Sequence, residues 1–175
     1  SAQGKTTSRG KHYHIDFFTE DGIRNISFFC EDFAGGKPIS GNLVLSDEPK
    51  ESMVIATPFE KKRHFYYNQK INCMRAKGWI NVKGHEYHFQ KENSFGVLDW
   101  GRGVWTYSNT WYCGSASGVV GEIPFGFNIG YGFGDTSQAS ENMLIYNGKA
   151  HKLDQEAAAD QHRGRARKPV FVHCI

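Results

Sequence analysis

The sequence predicts an all-β protein, on three observations. Apolar and polar residues alternate with period two through almost the whole chain. No long stretch carries the i, i+3, i+4, i+7 spacing of an amphipathic helix. Gly, Asp and Pro clusters recur between about ten short segments, the punctuation of an antiparallel barrel or sandwich. The strands fall near 12–18, 25–30, 42–46, 53–59, 64–76, 78–82, 85–90, 103–113, 125–133 and 142–146. In the first, Tyr13, Ile15 and Phe17 should face a core and His12, His14 and Asp16 solvent. The sharpest local pattern is a hairpin over Gly78–Phe89 with Lys83-Gly84 as its two-residue turn. Pairing Val82 with His85, Ile80 with Tyr87 and Gly78 with Phe89 gathers apolar side chains on one face. In 103–113, alternation puts Trp105, Tyr107, Asn109 and Trp111 on one side as a wall of rings. In 125–134, Phe125, Phe127, Ile129, Tyr131 and Phe133 share one side, and Gly126, Asn128, Gly130, Gly132 and Gly134 the other. That bare side admits close approach of a strand, an indole or a ligand, or serves sheet coiling.

Length and composition suit one globular unit: 175 residues, 39% hydrophobic, with 13 Phe, 8 Tyr and 4 Trp. Residues 1–154 are read as the strand-bearing barrel region, and 155–175 as an Ala-rich then Arg-rich tail outside the strand pattern. No apolar run approaches the roughly 18 residues of a spanning helix, and no apolar leader is visible at the start. A cytoplasmic location is therefore expected. The net charge is +3, of which Arg163, Arg165, Arg167 and Lys168 against Glu156 and Asp160 account for +2. Residues 1–154 are nearly neutral, which argues against a nucleic-acid partner. Cys30, Cys73, Cys113 and Cys174 form no C-x-x-C pair, and buried thiols in a reducing compartment are expected. His12, His14 and Asp16 have a spacing permissive for metal, but no fourth ligand is indicated, and His85 and His88 point to opposite faces. No metal and no cofactor are expected. The glycine run 130–134 lacks the helix and the lysine of a nucleotide loop, and 114–118 lacks a nucleophile elbow.

Charge and aromatic surface meet most densely in Leu98-Asp99-Trp100-Gly101-Arg102-Gly103-Val104-Trp105. An Asp99 enclosed by Trp100, Trp105 and Trp111 would be desolvated and could serve as a general acid. Arg102 favours the opposite reading, an ion pair pinning a turn.

Three stretches resemble a known group: FYYNQKINCMRAKGWINVKGHEYHF, FGVLDWGRGVWTYSNTWYCGSASG and FGFNIGYGFGDTSQASENMLIYNGKAHKL, over about residues 65–153. They resemble an uncharacterised bacterial and fungal family that is similar in turn to the tandem lipocalin-like proteins, which include the carotenoid 1,2-hydratases and the AttH group. The resemblance implies an antiparallel lipocalin-like barrel, one of a tandem pair, with a hydrophobic cavity. By motif position Asp99 corresponds to the hydratases' acid, shielded by Trp100, Trp105 and Trp111, with Asn128, Asp135, Glu141 and Asn142 as polar groups of the cavity. Members are longer than this chain, as a two-barrel plan requires, and Cys113 stands where an aromatic is expected.

Three functions follow. The first is binding of a lipophilic small molecule, with Trp105, Trp111 and Phe127 supplying apolar surface and Arg102 or Asn128 orienting a polar end. The second is a hydratase or isomerase of an unsaturated lipid or isoprenoid with Asp99 as general acid. The third is a truncated chain without independent activity, which would leave large apolar faces uncovered.

Overall fold

A computed structural model describes residues 4–153. Twelve antiparallel strands and no helix are present among the described residues. They are β1 (Gly4–Arg9), β2 (Tyr13–Glu20), β3 (Ile23–Cys30), β4 (Ile39–Ser46), β5 (Met53–Pro58), β6 (Phe65–Val82), β7 (His85–Phe89), β8 (Phe95–Val104), β9 (Tyr112–Val120), β10 (Ile123–Tyr131), β11 (Met143–Tyr146) and β12 (Lys149–Lys152). The sheets close no barrel among the described residues. The tail at 155–175 lies outside them, as does Cys174.

The chain divides into two compact units, each discontinuous in sequence. Among the described residues, one holds 4–48 and 74–96, the other 49–73 and 97–153. The long strand β6 runs through both, and Cys73, at the division, has a positive φ of 64°, a conformation that costs a non-glycine residue about 1–2 kcal/mol.

In the first unit the strand order is β1-β2-β3-β4-β6-β7. The hairpin over Gly78–Phe89 has the register read from the sequence, Val82 opposite His85 and Ile80 opposite Tyr87. Lys83 and Gly84 both take positive φ, 56° and 88°, as a type I′ turn requires, and Asn81 Oδ1 accepts from the Gly84 amide. Directly opposed residues share a face, so two apolar rows cross this sheet. One runs Phe17, Ile26, Leu43, Gly78, Phe89; the next runs Ile15, Phe28, Gly41, Ile80, Tyr87. The reverse face is largely polar, with rows such as Asp16, Ser27, Asn42, Trp79, His88. The expected core side of β2 is not buried: Tyr13 and Phe17 are among the exposed large side chains. A sheet buries a side chain fully only when a second layer covers it.

In the second unit, β5 pairs with β6 from Met53 opposite Lys70 to Pro58 opposite Phe65, and β12-β11-β10-β9 form a separate four-stranded sheet. Met53, Cys73, Met143 and Ile145 make its core, with Ile55 and Ala150 against them. The strand expected over 103–113 is interrupted: β8 ends at Val104, and β9 begins at Tyr112. Turn chemistry overrides the aromatic alternation there. Thr106 Oγ1 donates to Asn109 Oδ1 at 2.8 Å and Asn109 Nδ2 donates back to the Thr106 carbonyl at 2.7 Å, which folds the backbone out of extension. The glycine side of β10 is the buried one. A Cβ on Gly126 would stand 2.6 Å from Cys73 Sγ and one on Gly130 1.7 Å from Glu141 Oε1, so these glycines make room for side chains of the same unit.

Candidate functional site

The site grows from the first half of β6. Alternation sends Tyr66, Asn68, Lys70 and Asn72 inward, and all four are buried. An inward row of polar groups must be satisfied by its surroundings. Asn72 Nδ2 donates to Ser115 Oγ at 2.8 Å and to the carbonyls of Ala116 and Phe127 at 3.1 and 3.0 Å. Lys70 is the stringent case, since its side chain is 1% exposed. Its ammonium donates to Asp99 Oδ2 on β8 and lies 3.1 Å from Glu141 Oε2. Its Nζ also stands 5.1 Å from the centre of the Trp111 ring, a cation–π distance.

Glu141 is gathered from several sides. Oε1 accepts from Trp111 Nε1 at 2.9 Å, Oε2 accepts from Asn68 Nδ2 at 3.2 Å, and the backbone carbonyl accepts from Asn128 Nδ2 at 3.1 Å. Asn142 Oδ1 takes the Gly130 amide at 2.7 Å, which fixes the chain beside it. Lys70, Asp99 and Glu141 together carry one formal positive and two formal negative charges.

Over this cluster lies a group of rings. Tyr66 meets Phe133 edge-on at 4.8 Å and Trp105 at 5.7 Å, and Phe133 lies 5.4 Å from Trp111 and 5.2 Å from Phe59. Gly101 on β8 clears space for the Tyr66 ring, since a Cβ there would stand 2.3 Å from Cε2. Burial first, and then the charges of Asp99 and Glu141, hold the Tyr66 hydroxyl well above the usual phenol range. Trp105, Trp111 and Phe133 sit on segments between strands, and Trp105 is 46% exposed. A cavity of about 10 Å³ lined by Tyr66, Trp111, Gly130, Phe133 and Glu141 sits among the rings and the carboxylate, room for one water.

The chain belongs to the family described as domain of unknown function DUF2804. That family matches residues 1–171, well beyond the 65–153 that carry the motif resemblance. No curated protein and no solved structure matches the chain.

Of the residues singled out in this DUF2804 member's sequence, the structure brings Asp99, Trp105, Trp111, Asn128, Glu141 and Asn142 around Lys70 and Tyr66. The ion pair of Asp99 is with Lys70, not Arg102: alternation along β8 places Trp100 and Arg102 on the side opposite Asp99. Trp100 packs edge-on against Tyr67, 6.1 Å away. Asp99 is not enclosed by indoles, its side chain being 48% exposed. Asp135 caps a turn, accepting from the Ser137 amide and hydroxyl, and Phe127 lies partly buried on β10. Sequence reasoning missed Lys70, Asn68, Tyr66 and Phe133. The available signal was Asn68, Lys70 and Asn72 at every second position of a strand whose other side, Phe65, Tyr67, Gln69 and Ile71, is mostly apolar.

His12, His14 and Asp16 are each engaged elsewhere. His12 Nδ1 is 2.7 Å from Glu31, the His14 ring stacks on Phe29 at 6.0 Å, and Asp16 accepts from Thr7 and Arg9. The hydrogen bond from Thr7 is the main cause that holds Asp16 below the usual carboxylate range; burial opposes it, and the Arg9 charge adds a smaller lowering effect. Among the described residues, no group of three or more His, Cys, Asp or Glu is arranged to hold a metal ion, and no helix is long and apolar enough to cross a membrane.

Proposed function

We propose that the second unit binds a lipophilic small molecule, its apolar body against Trp105, Trp111, Phe133 and Tyr66 and its polar end toward Lys70, Asp99 and Glu141. One observation carries this reading: rings on segments without strand pairing converge over a buried ammonium held between two carboxylates. Aromatic walls with a few convergent polar groups are the usual make-up of a small-molecule site. Segments outside the sheets are also where binding surfaces concentrate and local opening costs least. The antiparallel all-β architecture is compatible with the lipocalin-like barrel of the resemblance, in which such a guest would sit. Asn128, buried against Glu141, is the remaining orienting group of this proposal, whereas Arg102 is exposed on the far side of β8, away from Lys70 and the rings. The test is uptake of a fluorescent fatty acid. Trp105→Ala should weaken it at least several-fold, and unchanged uptake would remove the reading.

A second reading is a hydratase or isomerase of an unsaturated lipid or isoprenoid with Asp99 as general acid. It is favoured by the placement of Asp99, beside the buried site and half open to an incoming substrate; to act as an acid, Asp99 must take up a proton against the pull of the Lys70 ammonium. Asp99 would give its proton to the alkene carbon. Rings would face the resulting cation, and water would add to it and return a proton to the carboxylate. Asp99→Asn should then abolish turnover and leave binding intact; equal turnover by the variant would exclude the role.

A further inference from the structure

We infer that the apolar face of the first unit's sheet is a self-association surface, covered by the same face of a second copy of this chain. The two rows that cross β2, β3, β4, β6 and β7 are apolar or glycine at every position. Of the eight larger side chains in them none is fully buried: Phe17 and Tyr87 are 42% and 52% exposed, and the other six are half-buried, open to a covering layer. A sheet that is apolar on one side and polar on the other needs a second layer on the apolar side, and a contiguous exposed apolar patch of this kind marks an interaction site.

Charge and area select a second copy as the occupant. Isologous pairing lays one patch on itself, so any unbalanced charge would meet its own image. This face has none in its two central rows, and Arg24 at its end is neutralised by Glu48 at 2.8 Å. A third row on the same face runs Tyr13, Cys30, Ile39, Val82, His85, and five strands at about 4.8 Å spacing with three rows about 7 Å apart give a footprint of roughly 500 Å² per copy. Two copies bury roughly 1,000 Å² by footprint alone, more once corrugation is counted, which reaches the size of a specific interface. The resulting sandwich is the ordinary face-to-face packing of two sheets.

Neighbouring phenylalanines supply a matched test, because Phe17 and Phe18 are 42% and 40% exposed on opposite faces of β2. Light scattering on the full chain at high micromolar concentration should give twice the monomer mass. Phe17→Glu should return it to the monomer mass with the β circular-dichroism spectrum retained, and Phe18→Glu should leave the dimer. If Phe17→Glu does not fold, Tyr87→Lys at the other flank provides the same reading. A monomeric wild-type chain overturns the inference, as does equal dissociation by the Phe17 and Phe18 variants. A monomer that binds a hydrophobic dye through Phe17 also overturns it, and assigns the face to a different partner.

Discussion

Replacing Lys70 with Met removes the cation from between Asp99 and Glu141 while keeping nearly the same volume. At the observed 3.1 Å, the Lys70–Glu141 attraction is about 5 kcal/mol for an effective dielectric near 20. Lys70 is 1% and Glu141 7% exposed, so solvent does little to replace the lost partner. The contribution of Asp99 is small, about 1 kcal/mol or less, because half of its side chain is in water. Glu141 keeps the hydrogen bonds from Trp111 and Asn68, which limit the damage. The expected loss is about 3–5 kcal/mol, the usual cost of leaving a buried charge unpaired, or roughly 10 °C in Tm for a chain of this size. Glu141→Gln in the Lys70→Met background should recover about 1–3 kcal/mol. Urea denaturation followed by circular dichroism measures both. A loss under about 1 kcal/mol for Lys70→Met, or strict additivity of the two changes, would refute the reasoning.

Three further outcomes follow from the same geometry. Gly130→Ala places a Cβ 1.7 Å from Glu141 Oε1, held by Trp111, on a carboxylate whose other oxygen is held by Asn68 and Lys70. It should cost about 2–4 kcal/mol and shift the Trp111 indole N–H signal; an unmoved signal would contradict the contact. The Tyr66 hydroxyl keeps its proton longer in the folded than in the unfolded chain, so its contribution is complete below the free tyrosine value near 10 and is lost as pH rises beyond it. Tyr66→Phe should therefore flatten the alkaline fall in stability measured by urea titration, and an unchanged slope would count against it. For Asp16 the sign is opposite: its stabilisation is present above the unfolded carboxylate value and is lost as pH falls through the lower folded one. Thr7→Val should raise the Asp16 pKa in an NMR titration, and no movement would assign the depression to another cause.

The legible parts of the fold were those specified by neighbouring residues. Lys83-Gly84 between alternating segments fixed both the existence and the register of the β6–β7 hairpin. The segment 105–111 misled because its rings alternate as a strand would, while Thr106 and Asn109 close a local turn. Strand β1 was invisible: Gly4–Arg9 carries no apolar residue and is exposed throughout, held only by pairing with β2. At the site, Asp99, Trp111 and Glu141 stood out as charge and indole in dense motifs. Lys70 did not, because an inward lysine on a strand looks like a solvent-facing one until Asp99 and Glu141 arrive from distant segments. In the sequence, Gly126 and Gly130 leave one side of the strand bare, and the structure gives the side chains that fill it.

The four tryptophans allow the most direct measurement of the proposed binding. Trp105 and Trp111 flank the ring cluster, Trp100 packs on Tyr67, and Trp79 lies on the polar face of the first unit. A fatty acid titrated into isotope-labelled protein should shift the indole N–H signals of Trp105 and Trp111 together, saturably, and leave Trp79 and Trp100 in place. Four unmoved signals, or movement of Trp79 without Trp111, would contradict the site.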